Sequence, residues 1–266
     1  MRRLGSDVVR VVSWNVNSIR SRVDLVGQFL DEEAPDVIAL QETKCSSPQF
    51  PGSLFEARGY EWIHHGQGSR NGVALASRVG LAGVREGFSG RAQPPFNECR
   101  LLAATIDGVR VLTLYAPNGA KRKSHDWQVK LAWFELLRNE LSFELEEHDD
   151  VMVIGDFNIC PTPNDLYDPA KRNRNLVSDE ERAAFARLVE LGFVDVAAAM
   201  YGTNAGYTWY AYREGQFEND RGYRLDLALA TPDLVRQITV CEPLRKWRDP
   251  KIRPSDHVPL LVELGV

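Results

Sequence analysis

Val151-Met152-Val153-Ile154-Gly155-Asp156-Phe157-Asn158 is an apolar run that ends in an acid and an amide. Asp150–Gly155 reads as a buried strand, and strand-end loops held by a rigid scaffold are where functional groups collect. Asp156 and Asn158 are two residues apart, so in extended backbone they share a face. A carboxylate that can accept a proton then stands beside an amide that can donate a hydrogen bond.

Outward from this run the chain alternates hairpins with separated helices. Strands are expected at Val8–Trp14, Asp36–Gln41, Tyr60–His64 and Gly72–Ser77, with a helix near Ser21–Glu32. Leu101–Ile106 and Val109–Tyr115 flank Asp107-Gly108, a strong hairpin signal. Lys123–Glu147 is expected as a long helix, with Leu131, Phe134, Leu137, Leu141 and Leu145 as its apolar stripe. A helix at Glu180–Leu191 and strands at Tyr207–Tyr210, Arg224–Ala230, Ile238–Glu242 and Val258–Leu264 complete the pattern. Two packed sheets with helices outside, an α/β sandwich, fit it better than a uniform βαβ series. No repeat or linker divides the chain, so a single domain over 1–266 is expected, residues 1–7 being a short flexible start.

The four cysteines, at 45, 99, 160 and 241, form no Cys-x-x-Cys pair, which argues against a zinc site and a disulfide scaffold. They suit a reducing, cytoplasmic setting. No run of eighteen apolar residues suggests a membrane span, and no apolar stretch follows Met1-Arg2-Arg3-Leu4 as in a signal peptide. The net charge of −5 does not exclude a nucleic-acid partner, because binding depends on where positive charge lies.

Four further clusters stand in order around Asp156: Ser13-Trp14-Asn15-Val16-Asn17, Gln41-Glu42-Thr43-Lys44, Tyr115-Ala116-Pro117-Asn118 and Ser255-Asp256-His257. Singly each is a weak signal. Together they supply hard oxygen ligands, a base, an amide donor and a histidine, the groups needed to cut a phosphodiester with a metal ion. Glu42 and Asn15 end strands and can offer oxygens to magnesium. Adjacent residues of a strand face opposite ways, so Asp256 is poorly placed to orient His257, and Asp226 is the better partner. Tyr115 and Asn118 can contact phosphate, and the basic Lys121-Arg122-Lys123 suits a nucleic-acid backbone. His64, His65, His125 and His148 read as surface or packing residues.

The combination of Gln-Glu-Thr-Lys, Tyr-Ala-Pro-Asn-Gly, Tyr-Thr-Trp-Tyr, Gly-Tyr-Arg-Leu-Asp and Pro-Ser-Asp-His resembles the exonuclease III family of apurinic/apyrimidinic endonucleases, from about Val11 to Leu264. That family belongs to the endonuclease/exonuclease/phosphatase superfamily. The resemblance implies a four-layered α/β sandwich and Mg2+-dependent cleavage, with Mn2+ as a substitute, on the 5′ side of abasic sites. It also implies 3′→5′ exonuclease, 3′-phosphodiesterase and 3′-phosphatase activity. The partner it implies is double-stranded DNA with abasic sites or 3′ lesions. Nothing in the sequence suggests an obligate partner chain, so a monomer is expected, and no exposed apolar stretch suggests a membrane.

Position by position, Asn15 and Glu42 resemble the principal metal site with Asp256 close by, and Asp156, Asn158 and His257 a second one. Asp156 resembles the residue that orients or deprotonates water, Asn158 and His257 phosphate contacts, Asp226 the partner of His257, and Tyr115 the active-site tyrosine. Lys44 and Asn118 match positions near metal and DNA phosphate. Trp209, Tyr223 and Leu225 match the pocket for an extruded abasic sugar. Tyr223 stands where many relatives carry Trp, Leu227 where an aromatic or His is common, and Arg85–Arg100 matches no motif. The loop Lys171-Arg172-Asn173-Arg174-Asn175 is expected near DNA on composition alone. The rival readings are a superfamily cousin acting on lipid or inositol phosphates, and a catalytically weak DNA-binding relative.

Overall fold

The computed structural model describes residues 8–90, 98–171, 176–213 and 215–265. The expected flexible start at residues 1–7 and most of the basic loop after Lys171 lie outside the described residues, as do residues 91–97 of the unmatched segment. Twelve strands form two six-stranded sheets. The strands are β1 (Val8–Asn15), β2 (Val37–Gln41), β3 (Glu61–His65), β4 (Val73–Ser77), β5 (Ala82–Glu86), β6 (Leu101–Ile106), β7 (Val109–Tyr115), β8 (Val151–Asp156), β9 (Val194–Asp195), β10 (Asp226–Ala230), β11 (Ile238–Pro243) and β12 (Leu260–Gly265). The helices are α1 (Val23–Glu32), α2 (Gly52–Glu56), α3 (His125–Glu147), α4 (Asp179–Val189), α5 (Val196–Tyr201) and α6 (Pro232–Val235).

One sheet runs β11-β12-β1-β2-β4-β3 and the other β5-β6-β7-β8-β10-β9. Each has one parallel pair at its centre, β1 with β2 and β7 with β8. Val11, Val37, Ala39 and Leu75 of the first sheet pack on Leu102, Val111, Met152 and Ile154 of the second. Outside, Val26, Phe29 and Leu30 of α1 lie against Val12, Trp14 and Ile38. On the other flank Trp133, Phe134, Leu137 and Leu141 of α3 and Phe185 of α4 cover Leu112, Val153 and Leu229. Because both faces of the central strands are covered, those strands carry apolar residues on both faces, with Arg10, Ser13 and Asn15 of β1 and Arg110 and Thr113 of β7 among the exceptions. The result is the four-layered α/β sandwich expected from the sequence.

Local chemistry explains the element ends. Asp107 (φ 48°) and Gly108 (φ 87°) turn the β6–β7 hairpin in the left-handed region that such tight turns require. Ser124 caps α3 by accepting from the Trp127 amide, and Ser178 with Glu181 forms a capping box on α4. Of the expected α3 stripe, Phe134, Leu137 and Leu141 are buried and Leu131 and Leu145 pack at its margin. Tyr207–Tyr210 is not a strand: Trp209 makes only isolated bridges, to Tyr223 and His257. The Thr208 hydroxyl takes the Leu225 and Asp226 amides instead, so a side chain replaces part of a ladder. β5 is an exposed edge strand and β9 has two residues, and neither carries a periodicity that sequence could show. All four cysteines are buried and free.

The geometry that positions the site depends on Gly155. It pairs with Leu114 of β7 at φ 151°, and a Cβ there would lie 2.1 Å from the Leu114 carbonyl oxygen. Gly155→Ala should therefore cost about 3 kcal/mol or more, the range of substitutions that force backbone apart. Urea unfolding measures this, and a midpoint equal to wild type would show that β7 and β8 do not need the close approach.

Candidate active site

One edge of the sandwich gathers the strand ends. Asn15 ends β1 beside Gln41, the last residue of β2, so Glu42 leaves the first sheet next to Asn15. In the second sheet Tyr115 and Asp226 both sit in register with Asp156, one on each side. His257 precedes β12 and approaches from the first sheet. Hydrogen bonds join the two rims: Asn15 Nδ2 donates to Glu42 Oε1 at 2.8 Å and to Asp156 Oδ2 at 2.9 Å. One layer below, Gln41 Nε2 donates to Ser13 Oγ and to Thr113 Oγ1 across the sheets.

Asp226 Oδ2 lies 2.8 Å from His257 Nδ1, and His257 Nε2 faces Asp156 Oδ2 at 3.7 Å. Burial would lower the His257 pKa, but the Asp226 and Asp156 carboxylates reverse this and push it up to about 10. Asp156 is pushed up to about 7, first by burial and then by Asp226 and Glu42, against the pull of His257. Both shifts have one origin: too much negative charge is held in too little water, and any cation or proton is welcome.

Asp256 makes its hydrogen bonds on the other side of His257. Its carboxylate accepts from Asn17 Nδ2 at 2.9 Å and from Trp209 Nε1 at 3.0 Å. Burial opposes its ionisation, yet His257 and these donors hold its pKa below the usual carboxylate value. Asp256 therefore anchors the indole of Trp209. Trp209 stacks on Tyr223 with centroids 5.4 Å apart and planes 8° off parallel. Leu225 lies beneath, packed with Cys160, Leu166 and Val177 in the same cluster. The three residues thus meet as one platform.

Asn158 adopts φ 51°, which turns its side chain back toward Asp156. Its Nδ2 donates to the Ala116 carbonyl and Asp156 Oδ2, and its Oδ1 accepts from Asn118. Tyr115 is held by Glu42 and by the Arg100 guanidinium over its ring at 4.8 Å, and burial raises its pKa. Lys44 Nζ reaches Glu42 Oε2 at 2.7 Å and Asn17 Oδ1 at 2.6 Å. In the basic cluster, Arg122 pairs with Glu180, while Lys121 and Lys123 are exposed. His64 is buried, bonded to Thr43 and stacked on Phe50, and burial lowers its pKa to about 4.

Glu42, Asp156 and His257 present ligand atoms within 4.8 Å of one another. Carboxylates are the hard donors that magnesium prefers, and the raised pKa of Asp156 marks a site short of positive charge. Asn15 presents its amide nitrogen here, because Oδ1 accepts the Asn17 backbone N–H at 3.0 Å. His257 Nδ1 faces Asp226, and its Nε2 turns toward Asp156.

Sequence reasoning assigned no role to four residues that organise this site. Asn17 links Asp256 to Lys44, and its spacing of two from Asn15 was a usable signal. Ser255 Oγ donates to the Asn15 carbonyl and accepts from the His257 amide. Thr208 holds the Leu225 and Asp226 amides. Lys130, fully buried on α3, pairs with Glu181 and donates to the Asn158 carbonyl at 2.7 Å. Its apolar helical surroundings hide it in a linear reading.

A sequence profile of the Endonuclease/Exonuclease/phosphatase family matches residues 12–257. Exodeoxyribonuclease III of Haemophilus influenzae is 29% identical over 275 residues, which cover 96% of this chain and 99% of that protein. Among solved structures, a 3′ phosphatase, NExo, from Neisseria bound to a product DNA hairpin superposes with a TM-score of 0.93 at 32% identity, covering 97% of this chain and 100% of that one. An AP endonuclease from Archaeoglobus fulgidus superposes at 0.91 and 36% identity, with the same coverage. The chain belongs to the Endonuclease/Exonuclease/phosphatase family, in its exonuclease III branch.

Asp226→Asn should bring the His257 pKa down from its raised value in metal-free protein, because an amide removes the largest charge that raises it. An NMR titration of the imidazole measures this, and an unmoved His257 would show that Asp156 alone keeps it protonated.

Proposed function

We propose that this protein is a metal-dependent DNA repair nuclease that hydrolyses the phosphodiester 5′ to abasic sites in duplex DNA. The same centre would trim 3′ lesions as a 3′→5′ exonuclease, phosphodiesterase or phosphatase. The observation that carries the reading is the pairing of the Glu42–Asp156–His257 centre with the Trp209–Tyr223 platform, joined through Asp256. Glu42 and Asp156 would hold a divalent cation, which we assign as Mg2+ with Mn2+ as a substitute. When bound, that ion supplies charge stabilisation at the phosphoryl group.

The chain's own residues do the rest. Asp156 orients the attacking water beside that ion and accepts its proton. His257, kept cationic by Asp226, donates to a non-bridging phosphoryl oxygen, and Asn158 donates alongside it by exchanging its bond to Asp156 Oδ2. Tyr115, held protonated by burial, donates to the phosphate or to the leaving oxygen. The platform selects for a missing base, since an abasic sugar leaves the stack at least cost. Lys44 and Asn118 border the phosphate path. None of the described helices is long and apolar enough to cross a membrane. By its likeness to bacterial exodeoxyribonucleases we place the protein in the cytoplasm, acting as a monomer.

Cleavage of a duplex carrying one tetrahydrofuran abasic analogue, beside a duplex with a recessed 3′ end, tests the reading. Incision 5′ to the analogue with magnesium, abolished by EDTA, is expected. Loss of only the recessed 3′ end would make the protein chiefly an exonuclease, and no cleavage of either would defeat the proposal. Asp156→Asn should lower the rate by about a hundredfold or more while DNA affinity stays near wild type. Turnover close to wild type would remove Asp156 from its assigned role.

A further inference from the structure

Beyond Asn17 and Asp256, on the same rim, lies a cavity of about 330 Å³ that the residues assigned above do not line. Its walls include Arg22, Arg248 and Arg253, the rings of Tyr212 and Phe217, and Glu218. Arg248 is only 2% exposed. Its guanidinium lies over the Tyr212 ring at 5.0 Å and near the Phe217 ring at 5.5 Å, and Nη2 donates to the Tyr210 carbonyl at 2.9 Å. Its buried Nε has no hydrogen-bond partner, and neither has the buried Nε of Arg22. Arg22 otherwise donates to the Asn17 carbonyl, to the Tyr212 hydroxyl and to the Pro254 carbonyl. Arg253 is exposed at the margin, with φ 51°. Among the described residues no carboxylate forms a salt bridge with any of the three.

Such a group of cations is unusual. A buried guanidinium normally has a carboxylate, because carbonyl dipoles and ring faces offset only part of its desolvation. Burial accordingly lowers the Arg248 pKa, and the nearby Tyr212, Asp256 and Glu218 offset only part of that. An anion entering the cavity would supply the missing partner, and the planar fork of arginine suits phosphate oxygens. The neighbourhood points to the source of that anion. Arg22 grips the Asn17 carbonyl, and Asn17 grips Asp256, which anchors Trp209. Trp209 and Tyr212 are three residues apart, a span of at most about 10 Å. That is about three base rises along one strand.

We propose that the Arg22–Arg248–Arg253 cavity is a subsite for a backbone phosphate of the DNA strand, close along the chain from the reacting one. The proposal rests on the reading of this protein as a DNA nuclease. The subsite fixes register on the strand and carries no base information. It also gives the segment from Trp209 to Tyr223 two functions, a platform at its ends and an anion pocket at its bend.

The test is equilibrium binding of the full chain to the tetrahydrofuran duplex in EDTA, so that nothing is cut, at salt from about 50 to 200 mM. Arg253→Gln is the main variant because its exposed side chain is not needed for folding. Lys251→Gln, an exposed neighbour outside the cavity, is the matched loss of charge. Arg253→Gln should bind about tenfold more weakly at low salt and lower the slope of log affinity against log salt by about 0.9, the value for one phosphate. Lys251→Gln should leave the slope unchanged. Shortening the duplex from each end should weaken wild type at one particular length and leave Arg253→Gln unaffected there. Equal effects of the two variants, or equal length dependence of wild type and Arg253→Gln, would overturn the subsite while wild-type cleavage of the same duplex kept the nuclease reading. Wild type that neither bound nor cut the duplex would overturn both.

Discussion

Three carboxylates, from Glu42, Asp156 and Asp226, are held together at the edge where two sheets meet, and most of the local structure exists to make that tolerable. Asp156 and Asp226 are each only 1% exposed. Such charges cannot stay buried without partners. His257 lies between Asp226 and Asp156, Lys44 neutralises Glu42, and Asn15 donates to Glu42 and Asp156 together. The apolar layer between the sheets supplies the free energy that this crowding costs, and the site can attract a metal ion because the compensation is incomplete.

The supports of the cluster are buried polar side chains one residue removed from it. Gln41 bridges Ser13 and Thr113 across the sheets, Thr208 fixes the Leu225 and Asp226 amides, and Ser255 ties the His257 loop to the end of β1. Lys130 reaches from α3 to the Asn158 carbonyl and closes its own charge with Glu181 of α4. These bonds hold side chains from both sheets in one arrangement before substrate arrives, which is what electrostatic preorganisation requires.

Asp256 shows how context decides a carboxylate's task. It neighbours His257 in sequence, yet His257 is oriented by Asp226, thirty-one residues away. Asp256 turns to Asn17 and Trp209, and so connects the charged centre to the aromatic platform. The platform then carries the chain round through Tyr212 to the arginine-lined cavity.

Much of this was legible in the sequence. The apolar run ending in Asp156, the Asp107-Gly108 turn and the α3 stripe are local patterns, set by residue type and spacing, and they led to the two-sheet sandwich. Strand alternation favours Asp226 over Asp256 as the partner of His257, yet Asp256 and His257 both precede β12, so the separation comes from the loop that carries them. What the sequence could not show was anything set by distance in space. The orientation of the Asn15 amide depends on the Asn17 backbone, the isolated bridges of Trp209 depend on Tyr223 and His257, and the burial of Arg248 depends on rings folded over it. The sequence by itself determined which chemical groups stand at the strand ends, because strand and turn preferences act over a few residues. Only the tertiary structure decided which of them share a charge, a proton or a ring face, because those energies depend on separations of a few ångströms between residues far apart in the chain.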